Sequence, residues 1–226
     1  MPVADAGEGR RRRWTALALA GVALAAALAG LLAPRGPRPA RLTPFEARLV
    51  AVATSQLGYR TDPPDSYCNR FSAYWSAGST ACPPGERAEE WCADFAAWVW
   101  RHAGARFRYG YGPGEIDAAS ASFYRWGVVH DRWHPAGGGY VPQPGDVAVY
   151  GLDPVTGTAM HVAVVTGYRL GAAGPDVVNG DGSRTGFSVV ETGKDQYKAD
   201  IHDGGGRLSG YVAPLSPLRH RPRPVE

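Results

Sequence analysis

The sequence predicts an α+β fold in which early helices pack on one face of a mostly antiparallel sheet built from the later part of the chain. Apolar residues recur at helical spacing over residues 43–58 and again over 89–104. Past Pro144 the period shortens to that of extended chain, with apolar runs divided by Gly, Pro and Asp turns. Helices first and strands second is the order of an α+β domain rather than of alternating βαβ units. One transmembrane helix is expected to precede this domain.

That helix is the uncharged run Trp14 to Ala33, which follows Arg10, Arg11, Arg12 and Arg13 and has the roughly 20 residues needed to cross a bilayer. Positive charge before the run places residues 1–13 in the cytoplasm and the rest of the chain outside. A cleaved signal segment is the alternative, and the paired arginines also suit twin-arginine export. Residues 34–42, with Pro34, Pro37 and Pro39 among arginines, read as a short extended linker.

The domain is expected over 43–213. Thr43-Pro44-Phe45-Glu46 reads as a capping box with proline at the first helical position, and Leu49, Val52, Ala53 and Leu57 form an apolar face ending at Gly58. Residues 60–87 carry no regular period and read as a long surface excursion. The next helix opens near Glu89, buries Trp91, Phe95, Trp98 and Val99, and stops at Gly104. A short helix is predicted over 118–126, and strands over 146–150, 161–168, 176–179, 187–192 and 210–212. The tail 214–226 is predicted disordered.

With 226 residues, 44% hydrophobic and 20% charged, the chain has the size of one catalytic domain. The net charge of +3 is concentrated in Arg10 to Arg13 and in Arg219, Arg221 and Arg223, so no nucleic-acid surface is expected. The cysteines and histidines lack zinc-ligand spacing, Asp62 and Asp65 are too few for a calcium loop, and no cofactor or metal is expected.

Three cysteines in an exported domain imply one disulfide and one further thiol. Cys68 and Cys82 share the excursion, and bridging them would be worth about 3 kcal/mol in the chain-entropy model. Cys92 is then the remaining thiol, in the first turn of a helix, where backbone donors and the dipole lower a thiol pKa. A buried structural Cys92, or its pairing with either other cysteine, is the competing reading.

Among the six histidines, His102 lies about 15 Å along the same helix and is too far from Cys92 to act as its base. His130 and His134 sit in a Trp-rich loop, His202 in a turn and His220 in the basic tail. His161 opens an apolar strand, where a titratable ring must meet a partner. The following strand ends in Asn179-Gly180-Asp181, and an antiparallel neighbour can set Asn179 beside His161 as the group that orients the imidazole. Asp181 is the competing orienter. An ordinary Asn-Gly turn is the bland reading of the same residues.

Ser55-Gln56-Leu57-Gly58-Tyr59, Glu90-Trp91-Cys92-Ala93-Asp94-Phe95, Pro142-Gln143-Pro144-Gly145-Asp146-Val147 and His161-Val162-Ala163-Val164-Val165 occur in that order. In this the chain resembles the CHAP family of cysteine- and histidine-dependent amidohydrolases and peptidases, which have a papain-like fold. The resemblance implies Cys92 as nucleophile, His161 as base and peptidoglycan peptide as substrate. Relatives often carry Glu on the strand after the histidine where this chain has Asn179. Gln56 is a candidate extra donor to an oxyanion. The competing expectation is a membrane-tethered wall-binding module without turnover.

Overall fold

The computed structural model describes residues 41–64, 66–172, 174–182, 188–194 and 206–217. The chain divides into two compact units, 1–41 and 42–226. The expected cytoplasmic N-terminus and transmembrane segment 14–33, nearly all of the linker, and Asp65, His202 and His220 lie outside the described residues. Among the described residues no helix is long and apolar enough to cross a membrane.

Helix α1 (Pro44–Thr54) begins with the predicted capping box: Glu46 N donates to Thr43 Oγ1 at 3.2 Å and Thr43 N donates to Glu46 Oε2 at 2.6 Å. Two orphan amides are thereby satisfied. Leu49 and Ala53 are buried, whereas Leu57, expected on the same face, is exposed because the helix ends at Ser55. Residues 58–61 then run beside a sheet strand, with Gly58 N donating to Val190 O, Val190 N to Tyr59 O and Thr61 N to Ser188 O.

The excursion is more regular than its sequence suggests. Strands β1 (Cys68–Asn69) and β2 (Arg87–Ala88) pair antiparallel and flank helix α2 (Arg70–Trp75). Asn69 caps α2 by accepting from Ser72 N at 2.7 Å, and Phe71 enters the core against Trp91 and Phe95. Six residues are too few to display a helical period, so the cap and one aromatic carry the information. The Cys68–Cys82 disulfide is present as predicted.

Helix α3 (Cys92–Ala103) is buried along most of its length, and its alanines let it approach the sheet closely. Gly104 ends it with φ of 90°, a left-handed conformation that glycine adopts without a Cβ penalty. Helix α4 (Ala121–Val129) starts later than predicted because Asp117 organises a preceding turn: Ala119 N donates to Asp117 Oδ1, and Ser122 Oγ to Asp117 O.

Six strands form one sheet: β3 (Trp133–Pro135), β4 (Val147–Tyr150), β5 (His161–Gly167), β6 (Asp176–Gly182), β7 (Val189–Lys194) and β8 (Leu208–Val212). Their spatial order is β3-β8-β4-β5-β6-β7, with every pairing antiparallel. The α+β architecture is therefore as expected. The sequence did not indicate β3, a three-residue strand ending in proline, which suits its edge position. The opposite edge, β7, is covered by residues 58–61.

Period-two alternation divides the sheet side chains. Val147, Val149, Val162, Val164 and Val178 pack with the helices, while Ala148, Tyr150, Ala163, Val165, Val177 and Tyr211 form a second cluster. Residues 214–217, expected within a disordered tail, are instead held: Arg106 N donates to Leu215 O and Arg106 Nε to Ser216 O, and Leu215 packs on the core. The remainder of that tail, 218–226, lies outside the described residues.

Candidate active site

Cys92 is the first residue of α3 and is 6% exposed. It opens into a cavity of about 480 Å³ whose lining includes Glu89, Tyr111, Asp117, Ser120, Ala159 and Met160. The thiol is outside the disulfide. Ser120 Oγ lies 3.1 Å from Cys92 Sγ. Sequence reasoning missed this serine because the helix predicted from residue 118 placed it inside regular structure. The available signal was a helix-start serine, which is ordinarily read as a cap.

His161 begins β5, directly after Ala159 and Met160 of the cavity wall. Its Nε2 is 3.2 Å from Asn179 Oδ1, and both residues are buried. Continuing the Val164–Val178 pairing places Asn179 opposite Ala163, so His161 is its diagonal neighbour on one sheet face. An amide oxygen only accepts, so Nε2 carries the proton in this contact and the neutral ring's lone pair lies at Nδ1.

The register between β6 and β7 shifts between Asn179 and Gly182, giving β6 one extra residue there. Within this bulge Asp181 has φ of 60°. Its carboxylate accepts Trp91 N–H at 3.0 Å and the Ser188 hydroxyl. The sequence left Asn179 and Asp181 as rival orienters of His161. Asn179 Oδ1 contacts the imidazole, and Asp181 accepts from Trp91 at the entrance to α3. Gly180 between them lies so close to α3 that a Cβ would stand 2.4 Å from Phe95 Cβ.

Gln56 does not line the Cys92 cavity. Its amide nitrogen donates to Ser55 Oγ at 2.8 Å, and its oxygen accepts from Arg70. The structure therefore gives it a bracing position between the end of α1 and α2. His102 stacks on Trp98 and His130 on Trp126, each with Nδ1 2.9 Å from a carbonyl one helical turn earlier. His134 stacks on Tyr140. No group of three or more metal-ligating side chains occurs among the described residues.

Two buried acids support the frame. Asp94, in the first turn of α3, has its pKa raised chiefly by burial, opposed by the hydrogen bond from Tyr109 and reinforced by the Asp117 charge. Asp146 accepts from Tyr140 Oη and Gln143 N, both at 2.8 Å. Burial pushes its pKa up to about 7 despite these donors, with Glu46 adding a small like-charge contribution.

The structure sets a hydroxyl on the sulfur of a helix-start thiol, and an imidazole against an amide on the strand that follows the cavity wall, residue types used in nucleophilic acyl chemistry. No curated protein and no solved structure matches the chain. A family model described as CHAP domain matches residues 84–174. The match includes Cys92 and His161 and stops before Asn179. Helices, antiparallel sheet and family match are consistent with a CHAP domain at residues 84–174, and members of that family are typically cysteine- and histidine-dependent amidohydrolases or peptidases.

Proposed function

We propose that the protein is an extracytoplasmic cysteine hydrolase that cleaves amide bonds of peptidoglycan, either between sugar and peptide or within the peptide. The observation that carries this reading is the contact of His161 Nε2 with Asn179 Oδ1. It fixes the imidazole on a strand whose lead-in residues wall the cavity of Cys92. Nδ1 is then the nitrogen that takes the thiol proton.

The Cys92 thiolate attacks the amide carbonyl carbon, and backbone donors at the start of α3 stabilise the oxyanion. Collapse of the tetrahedral intermediate breaks the C–N bond as His161 returns its proton to the leaving amine. Water, deprotonated by His161, then opens the thioester and regenerates the thiol. Asn179 acts by positioning the ring. The charge pattern around residues 14–33 supports delivery of the domain outside the cytoplasm, either anchored to the membrane or released after cleavage.

Purified cell wall incubated with wild type should release soluble peptide or new amine termini, and Cys92→Ala should release none while retaining its fold by circular dichroism. Full release by that variant would overturn the reading. Retained wall binding without any turnover by wild type would favour a tethered binding module.

A further inference from the structure

We propose that Ser120 is a catalytic residue of this site, whose hydroxyl donates to the Cys92 thiolate and holds the sulfur in its attacking position. The inference rests on the hydrolase reading for its role in turnover. Its effect on the thiol can be measured without any substrate.

Ser120 occupies the residue before α4. A serine there ordinarily accepts a hydrogen bond from an amide of its own first turn, a contact worth about 1 kcal/mol. Ser120 makes no such cap bond. Its Oγ instead lies 3.1 Å from Cys92 Sγ, in a wall of the cavity that Cys92 lines, and Ser120 is 9% exposed. Its backbone is helical, with φ of −53° and ψ of −37°, rather than extended as in a capping residue, so the hydroxyl is not committed to its own helix start.

Both groups are able to donate. A neutral thiol is a weak donor, whereas a thiolate is a strong acceptor, so the contact is most favourable with the hydroxyl donating to the ionised sulfur. The start of α3 favours the same charge state. The turn before Ser120 is fixed independently of the thiol, since Asp117 accepts Ala119 N and pairs with Arg125 Nη2 at 2.9 Å. This places the hydroxyl before substrate arrives. No bond to Ser120 forms or breaks during the reaction.

The test is the pH dependence of Cys92 alkylation by iodoacetamide in the full chain with its disulfide intact, for wild type, Ser120→Ala and Ser120→Thr. Ser120→Ala should raise the apparent thiol pKa, so that alkylation at a pH below the wild-type midpoint slows roughly ten-fold, with a hydrogen bond to a charged group as the measure. On wall fragments its kcat should fall while KM changes little. Ser120→Thr should restore the wild-type pH profile. A lower melting temperature for Ser120→Ala with an unchanged alkylation profile would assign the serine to structure alone and overturn the proposal. A shifted profile in a protein that never hydrolyses wall would keep the Ser120–Cys92 coupling and defeat the hydrolase reading. If Ser120→Ala does not fold, a wild-type profile in Ser120→Thr supports the contact, and a shifted one overturns it.

Discussion

His161 and Asn179 meet through Nε2 and Oδ1 at 3.2 Å, across two strands joined by register rather than by sequence proximity. Loss of a buried hydrogen-bond partner costs about 1 to 3 kcal/mol, which converts to roughly 5- to 150-fold in rate. Asn179→Ala should therefore lower kcat on wall fragments within that range with little change in KM. Asn179→Asp, which keeps an acceptor, should retain more activity than the alanine variant. Equal kcat for Asn179→Ala and wild type would remove the positioning role.

The acid at position 146 should set a measurable pH dependence of stability. Its folded pKa of about 7 stands above the ordinary value of 3.8. Between these values the folded state holds a proton that the unfolded chain has released. Stability from this group is therefore full below about pH 4 and falls as pH rises to about 7, by on the order of 1 kcal/mol per unit. Asp146→Asn, which can still accept from Tyr140 and Gln143, should flatten that slope. Urea denaturation of both proteins from pH 4 to 8 gives the difference curve.

Removal of the Cys68–Cys82 bridge should destabilise the domain by about 3 kcal/mol. The double replacement by alanine frees the loop that delivers Phe71 to Trp91 and Phe95. The denaturation midpoint should fall accordingly. An unchanged midpoint in the double variant would show that the aromatic contacts alone hold the excursion.

Gly180→Ala tests the approach of β6 to α3. Its new methyl would meet three Phe95 atoms at 2.4 to 2.7 Å, and overpacking of this kind costs about 1 to 3 kcal/mol. Because Asn179 and Asp181 flank the site, activity should fall more steeply than stability. Chemical denaturation alongside wall hydrolysis separates the two effects, and equal losses would show a purely structural role.

Helix α1, helix α3 and the central strands were legible because each carries a local signal: a capping box, a run of small and aromatic residues, or an apolar run bounded by turns. The places of Cys92 at a helix start and of His161 at a strand start were legible from local pattern, and the approach of Asn179 to His161 from chain order. The contact of Asp181 with Trp91 N was not, because it depends on one inserted residue in β6, and a bulge has no composition of its own. Ser120 was hidden for a related reason: the turn set by Asp117 moves the start of α4, and that displacement decides whether the serine faces its own helix or the thiol. Strand β3 and helix α2 are too short to show a period and exist through partners distant in sequence.

The position of β8 between β3 and β4 bears on when the sheet can close. Two neighbours that are early in sequence wait for a strand from residues 208–212 to join them. Until it does, β4 lacks one of its two partners, and Val212 is missing from the core beneath α4. Pairings over such long separations close slowly. During synthesis Cys92, His161 and Asn179 all emerge before the strand that completes the sheet, so the frame around them is finished only on the late arrival of β8.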